Sequence, residues 1–142
     1  MSFSVNPARP GFHTATPYLI VAGADAAIGF YKEAFGATEL MRHADPDGKV
    51  RHAEVMIGDS PIMIGEEFPA EFPEWLGPKA RGGSPVHIYL YVEDADGVFN
   101  RAIAAGATAI QPMKDQDYGD RMGGLADPSG HVWYVATHKH GA

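Results

Sequence analysis

The chain has 142 residues, 45% hydrophobic and 20% charged, a length and composition that suit one globular domain with a buried core. It contains no cysteine, which excludes disulfides, thiolate metal centres and cysteine nucleophiles together. A formal net charge of -7, with 11 scattered Lys and Arg, speaks against a nucleic-acid partner, since phosphate binding needs a clustered basic face.

The first eleven residues, with Pro7, Pro10 and Gly11, read as an extended arm, without a cleavage signature. No stretch of about 18 apolar residues is present to cross a bilayer, so a cytoplasmic protein without a membrane partner is expected. Ala15 to Val21 reads as a strand and Ala24 to Phe35 as a helix, with Ile28, Tyr31 and Phe35 on one face. Gly36 suits its end. Thr38 to His43 is a strand, Asp45-Pro46-Asp47-Gly48 a turn, and Lys49 to Ile57 with Pro61 to Gly65 a hairpin around Gly58-Asp59-Ser60.

Glu66 to Pro85 is rich in proline and glycine yet holds Phe68, Phe72 and Trp75. Aromatics there serve either a lid or subunit contact, or a connector pinned to its own core. Val86 to Glu93 then reads as a strand and Asp96 to Ala105 as a helix with Val98, Phe99, Ala102 and Ile103 on one side. Thr108 to Pro112, Met122 to Ala126 and His131 to Thr137 are further strands, the last entered through the turn Asp127-Pro128-Ser129-Gly130.

The order therefore repeats. Tyr18-Leu19-Ile20-Val21 returns as Tyr89-Leu90-Tyr91-Val92, 71 residues on, and Phe35-Gly36-Ala37-Thr38 returns as Ala105-Gly106-Ala107-Thr108, 70 on. The single domain 1–142 is expected to hold two β-α-β-β-β modules, about 12–67 and 86–138, joined by 68–85, with the functional site where they meet. Side chains alternate along a strand, so Ile88, Leu90 and Val92 are assigned to the helix and His87, Tyr89 and Tyr91 to the opposite face. The same parity gives Ala53, Val55 and Ile57 to the helix, and His52, Glu54 and Met56 to the other side.

These modules resemble the vicinal oxygen chelate superfamily of glyoxalase I, bleomycin-resistance proteins and extradiol dioxygenases. Phe30-Tyr31 and Phe35-Gly36 stand as that superfamily places them. Gly119-Asp120-Arg121, Asp127-Pro128-Ser129-Gly130-His131-Val132-Trp133 and Ala136-Thr137-His138 resemble the ending of its PhnB-like branch. The resemblance implies an α+β fold in which the modules form a cupped mixed β-sheet with helices outside and a pocket inside. It also implies a homodimer, with pockets at or near the subunit interface; whether modules pair within a chain or between subunits stays open.

In metal-using members the ligands lie on the first and last strands of each module. Carried onto this chain, those positions are Thr16 and Met63, then His87 and Tyr134. Only His87 is a good ligand for a divalent metal, whereas a catalytic site needs about three. His52 and Glu54, i and i+2 on one strand, either enlarge that set or form a hydrogen-bonded pair at a pocket wall. His138 and His140 are expected in a frayed, solvated tail.

Asp115, Asp117 and Asp120 depart from the spacing of a calcium loop, with Ala126 where its closing glutamate would stand. Arg121 beside Tyr118 suits either a clamp on a ligand carboxylate or phosphate, or an ion pair with Asp117, Asp120 or Asp127. No nucleophile elbow and no dinucleotide fingerprint occurs. The expected function is binding or sequestering a small aromatic or polar compound, without a cofactor. Tyr89, Tyr91, Tyr118, Tyr134, Trp75 and Arg121 are its expected binding residues. The alternative is a divalent-metal-dependent lyase, isomerase or dioxygenase using His87 with His52 and Glu54, and the same three side chains are the candidates for metal-free acid-base catalysis. Whether the protein is an enzyme stays open.

Overall fold

The computed structural model describes residues 7–140; the first part of the expected N-terminal arm lies outside them. The described part of the arm is a turn, closed by the Phe12 N–H on the Arg9 carbonyl at 2.9 Å. Two four-stranded sheets follow with the same internal order.

In sheet one, β1 (Tyr18–Val21) lies parallel to β4 (Ser60–Glu66), which pairs antiparallel with β3 (Val50–Ile57) and through it with β2 (Thr38–Ala44). Sheet two repeats this with β5 (Ile88–Tyr91), β8 (Val132–His138), β7 (Asp120–Ala126) and β6 (Thr108–Asp115). Helices α1 (Ala24–Phe35) and α3 (Ala95–Ala104) link the first two strands of each module, and a short α2 (Pro78–Arg81) interrupts the connector. The α+β architecture of two β-α-β-β-β modules is thus observed. β5 is shorter than expected, so His87 precedes it, while β6, β7 and β8 extend into segments read from sequence as loop or tail.

The two helices start in equivalent ways. Glu66, at the end of β4, accepts the Gly23 and Ala24 N–H groups at 2.8 Å each, which satisfies donors that a helix N-terminus leaves free. Thr137, its counterpart near the end of β8, accepts the Ala95 N–H at 3.0 Å and donates to the Val92 carbonyl at 2.7 Å. Each helix is therefore docked by the last strand of its own module.

The helix-facing side chains of both sheets join one core, in which Leu19, Val21, Val55, Ile64, Leu125, Trp133 and Val135 pack with Ile28, Tyr31, Phe35 and Phe99. Trp133 of β8 meets Phe35 of α1 at 4.8 Å between ring centroids, and α1 also contacts α3. Three polar contacts lock the modules: Tyr31 Oη to Asp127 at 2.5 Å, Arg101 Nε to the Ala34 carbonyl at 3.2 Å, and His131 Nε2 to the Ile20 carbonyl at 2.9 Å. Asp127 is saturated, since it also accepts from Trp133 Nε1 and from the Ser129 and His131 N–H groups.

The helix sides of the two modules fill much of the join with apolar side chains, and the other face of each sheet is turned away from that core. What stays open at the join is a cleft of about 720 Å³ between the Gly58-Asp59-Ser60 turn and β5.

Candidate functional site

The face of each sheet opposite its helix carries a polar and aromatic cluster, and the two clusters differ in charge. On sheet one, strand parity places Tyr18, His52, Glu54 and Met63 together. Glu54 is only 4% exposed and accepts from Arg9 at 2.7 Å and from His52 Nε2 at 3.0 Å. An ionised carboxylate can only accept, so in the neutral imidazole Nε2 carries the proton and Nδ1 is left to accept the Tyr18 hydroxyl at 2.8 Å. Burial works to raise the Glu54 pKa, but the hydrogen bonds from His52 and Arg9 prevail and hold it below the usual carboxylate range. Tyr18 is pushed up, first by burial and then by the charge of Glu54.

The Tyr18 ring lies over Gly65 of β4, where an added Cβ would come within 2.7 Å of Cε1. Trp75 packs edge-on against the same ring at 5.5 Å and touches Phe72 in turn. The Arg51 guanidinium sits over Phe68 at 3.7 Å and reaches Glu71 and Asp45. The aromatic connector is thus pinned to its own module, and Trp75 belongs with this cluster rather than with the tyrosines of sheet two. Beside it, Arg9, Phe12, Thr16 and Met63 line a groove of about 320 Å³.

On sheet two the centre is Asp120, only 2% exposed. Its Oδ2 accepts from Tyr89 at 2.7 Å and Tyr91 at 2.8 Å, and its Oδ1 from His138 Nδ1 at 2.8 Å. With the Tyr89 proton committed to Asp120, Tyr118 donates to Tyr89 Oη at 3.2 Å. The bonds from Tyr89 and His138 hold the Asp120 carboxyl below its usual range. Tyr89 is pushed up by burial and by its bonds to Tyr118 and Asp120, and Tyr91 chiefly by its bond to Asp120. Tyr134 continues the layer, with its ring 5.8 Å from Tyr89 and its hydroxyl 2.9 Å from His87 Nδ1. Beneath the layer, Met122 and Ala136 are buried apart from the main core.

The structure therefore brings Tyr89, Tyr91, Tyr118 and Tyr134 into one array with His87 at its edge, and puts His52 and Glu54 on the other sheet. Arg121 joins neither. It points to the helix side of β7, where it forms a bidentate pair with Asp96 of α3 at 2.7 and 3.0 Å and reaches Asp115 at 3.3 Å. Of its two sequence readings the ion pair is the one observed, though with other aspartates. His138 is likewise not in a frayed tail: it ends β8, is fixed to Asp120, and stacks edge-on with His140 at 4.7 Å. Asp120, Tyr18 and Arg9 were not singled out as site residues from sequence, although strand parity with Met122 was an available signal for Asp120.

The four positions that metal-using relatives would employ do come together in pairs. Thr16 and Met63 line one groove, and His87 bonds to Tyr134. Their donor set is nevertheless a hydroxyl, a thioether, an imidazole and a phenol, which does not fit a divalent cation. Among the described residues no three His, Asp or Glu side chains stand close enough to hold a metal ion, so His87 does not join His52 and Glu54 within the chain. Among the described residues no helix is long and apolar enough to cross a membrane.

Residues 12–135 match the family described as the Glyoxalase/Bleomycin resistance protein/Dioxygenase superfamily. An uncharacterized protein of Mycobacterium tuberculosis is 42% identical over 134 residues, which cover 94% of this chain and 75% of that protein. TioX from Micromonospora sp. ML1 has a similar structure, with TM-score 0.68 and 25% identity over 92% of this chain and 99% of TioX. A PhnB protein from Bacillus cereus shares the fold at TM-score 0.68 and 18% identity, over 88% of this chain and 99% of its own.

Proposed function

Since this chain belongs to the glyoxalase/bleomycin resistance protein/dioxygenase superfamily, we propose that it is a cytoplasmic small-molecule-binding protein of the PhnB-like branch that works as a homodimer. The observation that carries this reading is the tyrosine layer of sheet two. Tyr91 and Tyr118 are 62% and 56% exposed, yet their hydroxyls are tied into a network anchored on a buried carboxylate. Exposed aromatic faces held rigidly above fixed polar groups offer contact area at little entropic cost, which is what a ligand pocket needs. The branch assignment rests on the ending from Gly119 to His138.

The homodimer is supported by the open faces themselves. Phe72 and Trp75 beside sheet one and Tyr91 on sheet two are exposed large apolar side chains, of the kind that interaction surfaces use. A second copy laid over one open face would turn it into an enclosed pocket.

A second reading has one observation in its favour. His52, held between the Tyr18 hydroxyl and Glu54, is placed to accept the Tyr18 proton while Glu54 stabilises the imidazolium, the arrangement of an acid-base catalyst that needs no metal.

A thermal-shift screen of aromatic, carboxylate and ammonium compounds tests the leading reading. A stabilising ligand whose effect is lost in Tyr89→Ala and Tyr91→Ala is expected; the absence of any hit across a broad library overturns it. Sedimentation velocity is expected to give twice the mass of the chain, and a monomer at micromolar concentration sinks the homodimer.

A further inference from the structure

We infer that the tyrosine layer of sheet two is a site for an organic ammonium ion, with Tyr89, Tyr91 and Tyr118 offering ring faces above the buried charge of Asp120. This deepens the small-molecule reading and rests on it. Tyr89 and Tyr91 are 5.2 Å apart between ring centroids and tilted by 53°, so they present two non-parallel faces to one volume. A cation over a tyrosine face is attracted by the ring quadrupole, and here both hydroxyls donate to a carboxylate, which enriches the rings in electron density.

The charge balance separates this face from the other. Glu54 on sheet one is neutralised by Arg9, and Asp96 and Asp115 on the helix side of sheet two are paired with Arg121. Asp120 has two phenols and one imidazole as its partners and no Lys or Arg among them. The cleft beside Tyr89 and Tyr91 adds Asp59, Glu93 and Asp94 against a single Arg101, which spends its Nε on the Ala34 carbonyl. A cation approaching this face meets ring faces and carboxylates, with the imidazoles of His138 and His140 as the basic groups beside Tyr91.

The same geometry selects the kind of cation. A hard metal ion needs several bare oxygen ligands, but Asp120 is buried and both its oxygens are occupied by donors. A methylated ammonium needs none, because its weakly hydrated charge is satisfied by aromatic faces. The adjoining cleft of about 720 Å³ has room for the rest of a small molecule attached to that head.

Titration of the full chain with tetramethylammonium and choline, followed by calorimetry and by tyrosine ring NMR shifts, tests this against 3,3-dimethyl-1-butanol, the uncharged isostere of choline. Choline is expected to bind at least about tenfold more tightly than the alcohol. Tyr91→Leu should weaken choline about tenfold, while Tyr91→Phe, which keeps the ring, stays within about threefold. Asp120→Asn should also weaken it about tenfold, with the melting curve confirming that the variant is folded. Equal affinity for choline and the alcohol, or a Tyr91→Leu variant as good as wild type, overturns the cation assignment. If neutral or anionic compounds bind at Tyr89 and Tyr91 and no ammonium does, the assignment fails while the small-molecule reading stands. If no compound of any charge binds, both fail.

Discussion

The Tyr31 hydroxyl donates a 2.5 Å hydrogen bond to Asp127, which ties the helix of the first module to the last turn of the second. Tyr31 is fully buried, and burial with the Asp127 charge pushes its pKa well up, so it stays a donor at any physiological pH. Tyr31→Phe removes one of the donors of Asp127 and leaves the ring in place. A loss of about 1–2 kcal/mol is expected in urea unfolding, with an unchanged m-value. Trp133→Ala also removes a large core side chain and should cost about 3–5 kcal/mol.

Acid should act on the first module through Glu54. Its carboxyl titrates below the usual range in the folded chain, so the stability it contributes is complete above about pH 4.3, the unfolded value, and is lost as pH falls through the lower folded value. Glu54→Gln should therefore be less stable than wild type at pH 7 by a margin that holds down to about pH 5 and shrinks below about pH 4. A margin independent of pH from 7 to 3, measured by thermal melts, would contradict the linkage.

Two glycines facing opposite ways should respond differently to one methyl group. At Gly123 an added Cβ would meet Met113 Sδ at 2.6 Å and Phe99 at 3.0 Å on the core side, so Gly123→Ala should cost about 1–3 kcal/mol. At Gly65 it would meet the Tyr18 ring, which can swing outward on its exposed side. Gly65→Ala should fold with a smaller loss, while Trp75 fluorescence changes because its neighbour has moved.

Arg121→Ala should leave ligand binding at the tyrosine layer unaltered and lower the melting temperature only slightly, since its ion pairs to Asp96 and Asp115 are exposed. A large loss of affinity, read in the same titrations, would show that the guanidinium reaches the open face.

Much of this was legible in the sequence because duplication and strand parity are local signals. The repeat of Tyr18-Leu19-Ile20-Val21 as Tyr89-Leu90-Tyr91-Val92 located both first strands, and alternation separated Ala53, Val55 and Ile57 from His52 and Glu54 with the sides correct. Arg121 was open because β7 was read as starting at Met122. Once the strand begins at Asp120, parity with Gly123 and Leu125 sends Arg121 to the helix side and Asp120 to the other. The partners of Asp120 were hidden for a different reason: Tyr89, Tyr91 and His138 lie 31, 29 and 18 residues away, and only the order β5-β8-β7 brings them together.

Glu66 and Thr137 show what a duplicated frame makes possible. One is a carboxylate and the other a hydroxyl, yet each fixes where its helix begins, and both point to the core side of their strands. Alternate residues along these strands thus have separate duties: one set keeps the chassis, and the set between can be rewritten without moving it. The two halves of this chain differ in that second set, one carrying a Tyr-His-Glu array neutralised by Arg9 and the other a tyrosine layer over a carboxylate bound by phenols and an imidazole. An engineer could graft new chemistry onto either outward surface and expect the scaffold to hold.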